Sequence, residues 1–190
     1  LIGSDIVAIK TASSKYKTYK MFQKYSIPTI PTFKNIKKIN CKNYNKWVIK
    51  PDDGTGCEKN HIFSNKNKML NFINLNKNYV IQPLIKGESY SANIISDKSK
   101  FKILNFNKQK IFFNKKKITF NGTKFLKKIA YEKKIKKYID IIVSKLSGLN
   151  GFFGIDFIIF KKQILFVDIN PRITTSYKQL SKNIKINVAE

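Results

Sequence analysis

Residues 151–172, GFFGIDFIIFKKQILFVDINPR, constrain this chain more than any other stretch. The run is almost continuously apolar on either side of Lys161, Lys162 and Gln163, and rich in Phe, Ile and Val, so it reads as a hairpin of two buried strands. Asp156, Asp168 and Asn170 nevertheless sit inside it. An unpaired carboxylate in such surroundings costs several kcal/mol, and two of them about 4 Å apart repel by roughly 4 kcal/mol at an effective dielectric near 20. A fold that keeps these acids must give them something to face.

Strand alternation puts Asp168 and Asn170 on one face, with Phe166 and Ile164 behind them. Asp156 joins that face only if it pairs with Asp168. Unbroken pairing then sets Phe160 opposite Ile164 and requires a three-residue turn, Lys161-Lys162-Gln163, although a two-residue turn also fits the sequence. With the longer turn, two carboxylates and an amide oxygen converge as an incomplete hard-oxygen site. Mg²⁺ suits such a site, keeping waters and taking its other ligands from substrate phosphates. The competing reading is that one Asp merely ends its strand in solvent.

The chain has 190 residues and 42% hydrophobic content, enough for one core or two small lobes sharing a cleft. Its 38 basic residues against 11 acidic ones give a net charge of +27, which ordinarily points to nucleic acid. Arg172 is the one arginine, however, and Lys, Asn and Ile dominate the chain. That is the composition of an AT-rich coding sequence, whereas a selected polyanion surface would use arginine too, so no nucleic-acid partner is expected. Cys41 and Cys57 show neither metal-site nor disulfide spacing and are expected to be reduced. No apolar run approaches the roughly 18 residues of a membrane span and no signal-peptide pattern is present, so a cytoplasmic protein without membrane contact is expected. The opening LIGSDIVAIK lacks an initiator Met and reads as the tail of an element already under way, which suggests a missing N-terminal piece.

Along the chain, Ser13 or Ser14 caps a helix carrying Tyr16, Tyr19 and Phe22 before Pro28. Strands are expected at 46–51, 61–64 and 79–85, with an amphipathic helix at 66–77. After residues 83–87 the pattern turns to strands: SYSANIISD, FKILNFNKQK, then IFF and ITF around a lysine-rich turn. TKFLKKIAYEKKIKKYIDIIVSKLSG (123–148) is expected to be the longest helix, with Gly148 as its C-cap. A short helix begins near Thr175. This divides into a linker and helix (1–40), a small lobe (41–84) and a large lobe bearing the hairpin (85–190).

Two further places carry chemistry. Lys50 ends a strand just before Gly54, Thr55 and Gly56, where glycine amides can approach phosphate oxygens, although no Walker sequence follows and such a loop alone is more often a plain connection. Gln82 ends a buried strand next to Pro83, a hinge whose backbone suits an adenine. Glu88 then suits ribose hydroxyls, or else is a solvated turn acid.

SKYKTYKMFQKYSIPTIPTF, WVIKPDDGTGC, VIQPLIKGESYSANI, LNFNKQKI, GIDF and FVDINPRITTSY resemble, in order and spacing, the nucleotide-binding portion of ATP-grasp enzymes over nearly the whole chain. The most specific elements are IDF and DINPR, whose acids are 12 positions apart, and the Lys-Pro strand end. The ending DINPRITTSYKQL further resembles ligases of the tyramine-glutamate type.

The resemblance implies an α+β ATP-grasp fold, two lobes enclosing an ATP cleft. It implies Lys15 and Lys50 on ATP phosphates under the 53–57 loop, with Gly54, Thr55 and Gly56 in it. Gln82, the backbone of Pro83, Leu84 and Ile85, and Glu88 would hold adenosine. Asp156, Asp168 and Asn170 would hold Mg²⁺ or Mn²⁺, and Arg172 and Lys108 would neutralise the transferring phosphoryl group. The implied chemistry joins a small carboxylate to an amine through an acyl phosphate, and whether the chain forms a homodimer stays open. The sequence departs from the family in having Gln82 where Glu is usual and Asp168 where Glu is commoner, and an N-terminal α/β domain is expected to be lacking. An ATP-binding remnant without turnover and a basic RNA-binding domain are the alternatives.

Overall fold

The computed structural model describes residues 3–35, 39, 44–54, 57, 59–75, 78–97, 100–114 and 116–184. Cys41, Thr55 and Gly56 lie outside them. Helix α1 (Ile6–Ala12) starts at its own cap, where the Asp5 carboxylate accepts the Ala8 N–H at 2.7 Å. Residues 6–12 thus form a helix with its own cap; Leu1 and Ile2, the first apolar residues that read as the tail of an earlier element, lie outside the described residues. Ser14 caps α2 (Lys15–Lys24) in the same way, accepting from Lys17 N–H at 3.1 Å.

A three-stranded antiparallel sheet, in the order β2-β1-β3, comprises β1 (Trp47–Pro51), β2 (His61–Phe63) and β3 (Tyr79–Pro83). Helix α3 (Lys66–Leu75) brings Met69 to its core of Trp47, Ile49 and Ile81. The second sheet, in the order β6-β5-β4-β7-β8, comprises β4 (Glu88–Asp97), β5 (Lys100–Phe113), β6 (Ile118–Leu126), β7 (Gly151–Phe160) and β8 (Gln163–Asn170). One face is covered by α4 (Glu132–Lys145), whose Ile135, Ile139, Ile142 and Val143 recur at helical spacing and are buried with Phe22, Phe106, Phe153, Phe157 and Phe166. Helix α5 (Tyr177–Ile184) follows β8.

Two elements differ from their sequence reading. The expected helix at 123–148 is shorter, because Thr123–Leu126 finish β6, paired with Gln109 to Phe106 of β5. Tyr131, in the left-handed region at φ 64°, then precedes α4. Its C-cap is Leu146, and Gly148 instead carries the carbonyl that accepts the Asp5 N–H at 2.8 Å. FKILNFNKQK and IFF form one 14-residue strand.

The hairpin achieves the expected Asp156–Asp168 pairing by a different route. Its turn has two residues, with Phe160 opposite Gln163 and both Lys161 (φ 47°) and Lys162 (φ 64°) left-handed, as a tight hairpin turn demands. The register shifts between Asp156 and Phe157, where Phe157 pairs with Phe166 and leaves Val167 as the extra residue of a bulge. Because side chains alternate, one inserted residue exchanges the faces. Ile164 and Phe166 point into the core, whereas Asp168 and Asn170 emerge on the opposite side instead of sharing their face. Without the bulge, Asp168 would follow Phe166 into the apolar core.

Residues 28–33 lace the sheets together. Phe166 N–H donates to Pro28 O at 2.8 Å, Thr29 Oγ1 donates to Phe166 O at 2.8 Å, and Phe33 and Ile81 exchange backbone hydrogen bonds. At the far end, Ile62 N–H donates to Lys116 O at 2.8 Å, tying the β5–β6 tip to the smaller sheet.

Candidate functional site

A cavity of about 550 Å³ lies between the two sheets. Lys15, Lys50 and Gln82 enter it from the side of α2 and the smaller sheet; Asp156, Asp168 and Asn170 enter from β7 and β8. Gly54, Pro83, Leu84, Ile85 and Arg172 also line it.

Lys15 is placed by a contact that the sequence reading missed. Asp52, at the end of β1, accepts from Ser14 Oγ and Tyr16 N–H, each at 2.8 Å, and lies 3.0 Å from Lys34 Nζ. Its own carbonyl accepts the Lys15 N–H at 3.0 Å. Burial works against the Asp52 charge, but these hydrogen bonds hold its carboxyl below the usual carboxylate range. The start of α2 is thus stapled to the loop after β1, which leaves Lys15 Nζ bonded to Gly54 O and 3.6 Å from Asp168 Oδ2. The sequence signal was the Asp-Asp-Gly following a strand.

Both oxygens of Asp156 accept hydrogen bonds, from Gln109 Nε2 at 2.9 Å and Asn170 Nδ2 at 3.0 Å. These do not offset burial and the neighbouring Asp168 charge, which push its carboxyl up to about 6. Burial also raises Asp168, against the pull of Lys15 and Lys50. Burial lowers Lys50, opposed chiefly by Asp168. The acids therefore face one another and two lysines across the cavity.

Gln82 lines the cavity and is buried at 3% exposure; its Nε2 donates to Thr32 Oγ1 at 2.9 Å, while its buried Oε1 has no hydrogen-bond partner among the described residues. Arg172 is exposed, its N–H bonded to Asn170 O at 2.8 Å and its Nη1 to Ile173 O at 3.1 Å. Cys57 also lines the cavity, and burial pushes its thiol up. His61 packs on Phe72 at 4.6 Å between ring centroids, an aromatic-cluster residue away from the acids.

Glu88 and Lys108 do not join this group. They pair with each other beside Tyr90, whose hydroxyl donates to Glu88 at 2.9 Å and whose ring stacks on the core residue Phe157. The reason is alternation: Tyr90, Ala92 and Ile94 face the core, so Glu88 shares their side while Ser89 and Ser91 line the cavity. Likewise Gln109, and not Lys108, reaches Asp156.

Among the described residues no three His, Cys, Asp or Glu side chains cluster as metal ligands. The residues that could hold a hard divalent cation are Asp156, Asp168 and the Asn170 amide oxygen, and burial is the main cause that raises the affinity of both carboxyls for protons.

A family model described as ATP-grasp domain matches residues 12–176. The chain belongs to the ATP-grasp family. It is 33% identical over 132 residues to a tyramine–L-glutamate ligase of Methanocaldococcus fervens, an alignment covering 69% of this chain and 38% of that enzyme. Among solved structures, an ATP-grasp superfamily protein from Archaeoglobus fulgidus superposes with a TM-score of 0.72 at 23% identity, covering 99% of this chain and 55% of that one. The VanG D-Ala:D-Ser ligase of Enterococcus faecalis superposes at 0.76 with 17% identity, covering 99% and 62%. The ATP-grasp fold of two α+β lobes thus accounts for the chain, which spans well under half the length of the curated ligase it matches.

Proposed function

We propose that the chain binds ATP with a divalent cation between its lobes and serves the ATP-dependent joining of a carboxylate to an amine. The observation that carries this reading is the convergence of Lys15 and Lys50 with Asp156, Asp168 and Asn170 across one cavity. Lys15 and Lys50 would bind phosphate oxygens, and the Lys50 charge, disfavoured by burial, gains from an anion. The orphan Gln82 Oε1 suits the exocyclic amine of adenine, with the backbone of Pro83, Leu84 and Ile85 alongside. Asp156, Asp168 and Asn170 would hold Mg²⁺ or Mn²⁺, which when bound withdraws charge from the phosphates.

In this reading a substrate carboxylate oxygen attacks the γ-phosphorus, ADP leaves, and an amine displaces phosphate from the acyl phosphate. Arg172 supplies positive charge at the transferring group, and catalysis rests on positioning and charge neutralisation. Glutamate and tyramine, named in the relative, are the first substrate pair to try. The alignment covers 38% of that relative, and ATP binding without turnover is the second reading.

The test is thermal unfolding with Mg²⁺, with ATP and with both. Both together should stabilise more than the sum of each alone, and Asp168→Asn should shrink the joint response. An unchanged response in Asp168→Asn would remove these acids from the metal site. ADP release with carboxylate and amine pairs then separates turnover from binding.

A further inference from the structure

The cavity face of the larger sheet carries two adjoining polar rows. Pairing sets Asn107, Ser91, Asp156 and Asp168 side by side across β5, β4, β7 and β8; the next row is Asn105, Asn93, Gly154 and Asn170. Three of the four asparagines in these rows are almost fully buried: Asn93 and Asn107 at 0% exposure and Asn105 at 2%. A buried amide left unbonded costs about 1–3 kcal/mol, so such a row needs a complete bonding scheme.

The scheme runs in one direction. Asn93 Nδ2 donates to Asn105 Oδ1 at 2.8 Å, Asn105 Nδ2 to Asn107 Oδ1 at 2.9 Å, and Asn107 Nδ2 to Ser91 Oγ at 3.3 Å. This fixes the Asn93 amide with its oxygen outward, where Oδ1 accepts from Thr174 Oγ1 at 3.0 Å and Ser176 Oγ at 2.9 Å. Gly154 makes room for that approach, since a Cβ there would lie 2.6 Å from Thr174 Cγ2. Everything between Asn170 and this anchor is the short segment bearing Arg172.

We propose that Asn93, oriented by Asn105 and Asn107, is a positioning residue that pins the 171–176 segment to the centre of the sheet and thereby holds Arg172 at the phosphate end of the cavity. The role of Arg172 rests on the function proposed above; the pinning itself does not.

Thr174→Val combined with Ser176→Ala keeps shape while removing both donors. Hydrogen exchange of amides 172–177 should quicken about tenfold with β4 and β7 unaffected, and Thr174→Ser should exchange like the wild type. ATP affinity should fall about fivefold in the double variant, with no further loss when it is added to Arg172→Ala. A merely structural defect would weaken ATP binding in both backgrounds. Unchanged exchange at 172–177, or additive losses in the Arg172→Ala background, overturns the proposal. Wild-type protein that binds no ATP sinks the proposed function instead, and exchange alone then decides the pinning. If the double variant does not fold, Ser176→Ala by itself runs the same comparison.

Discussion

Asp156→Asn tests the electrostatics of the site without any ligand. Burial and the Asp168 charge raise the Asp156 carboxyl from 3.8 to about 6, which at roughly 1.4 kcal/mol per pH unit makes its ionised form cost about 3 kcal/mol in the folded state. Between those two values the folded protein holds a proton that the unfolded chain releases. Stability is therefore full below about pH 4, falls as pH rises through about 6, and stays lost above it. The amide abolishes this loss and leaves the local bonding intact: Gln109 still donates to Oδ1, and Asn170 turns its own amide so that its oxygen accepts. At pH 7 the variant should be more stable by up to about 3 kcal/mol, several degrees in melting temperature for a chain of this size. The assay is urea unfolding of both proteins from pH 4 to 8. Asp52 contributes the opposite slope, its stabilisation disappearing as pH falls through its depressed value, but it is common to both proteins and cancels in their difference. A wild-type-minus-variant difference that stays flat across the range would refute the reasoning.

Other consequences follow from the packing. A Cβ on Gly148 would lie 1.9 Å from Asp5 Oδ2, so Gly148→Ala should dislodge the α1 cap and cost about 1–2 kcal/mol in urea unfolding, but less than half that in Asp5→Ala protein. Lys161→Asn with Lys162→Gly should stabilise by about 1 kcal/mol, because both positions are left-handed and the replacements favour that region; destabilisation would argue against the two-residue turn. In calorimetry, Glu88→Gln should change ATP affinity less than about twofold while Lys50→Met weakens it more than about tenfold, since only Lys50 reaches the cavity.

The parts of the fold legible in the sequence are those written locally. The serine cap before Lys15, the proline ending β1, the helical spacing of Ile135, Ile139 and Ile142, and the two carboxylates stranded in an apolar hairpin all announce themselves within a few residues. The order of the motifs carried the ATP-grasp resemblance, and the acids, lysines and Gln82 of the cavity were among its residues.

What only the tertiary structure decided is which face each side chain takes. One bulged residue, Val167, reverses the parity of β8 and lifts Asp168 out of the core, and no local propensity distinguishes that from a longer turn. The same two-residue alternation sends Glu88 and Lys108 to the far side of the sheet and gives Ser91 and Gln109 to the cavity. Thr123–Leu126 become strand because β5 offers them a partner, although their apolar spacing suits a helix equally well. Asp52 and Asn93 look like ordinary turn and strand polar residues until Lys15 and Thr174, distant in sequence, are brought against them. Local sequence determines most of the elements and the chemistry available; long-range pairing, with its period of two, decides segments such as 123–126 and which groups meet.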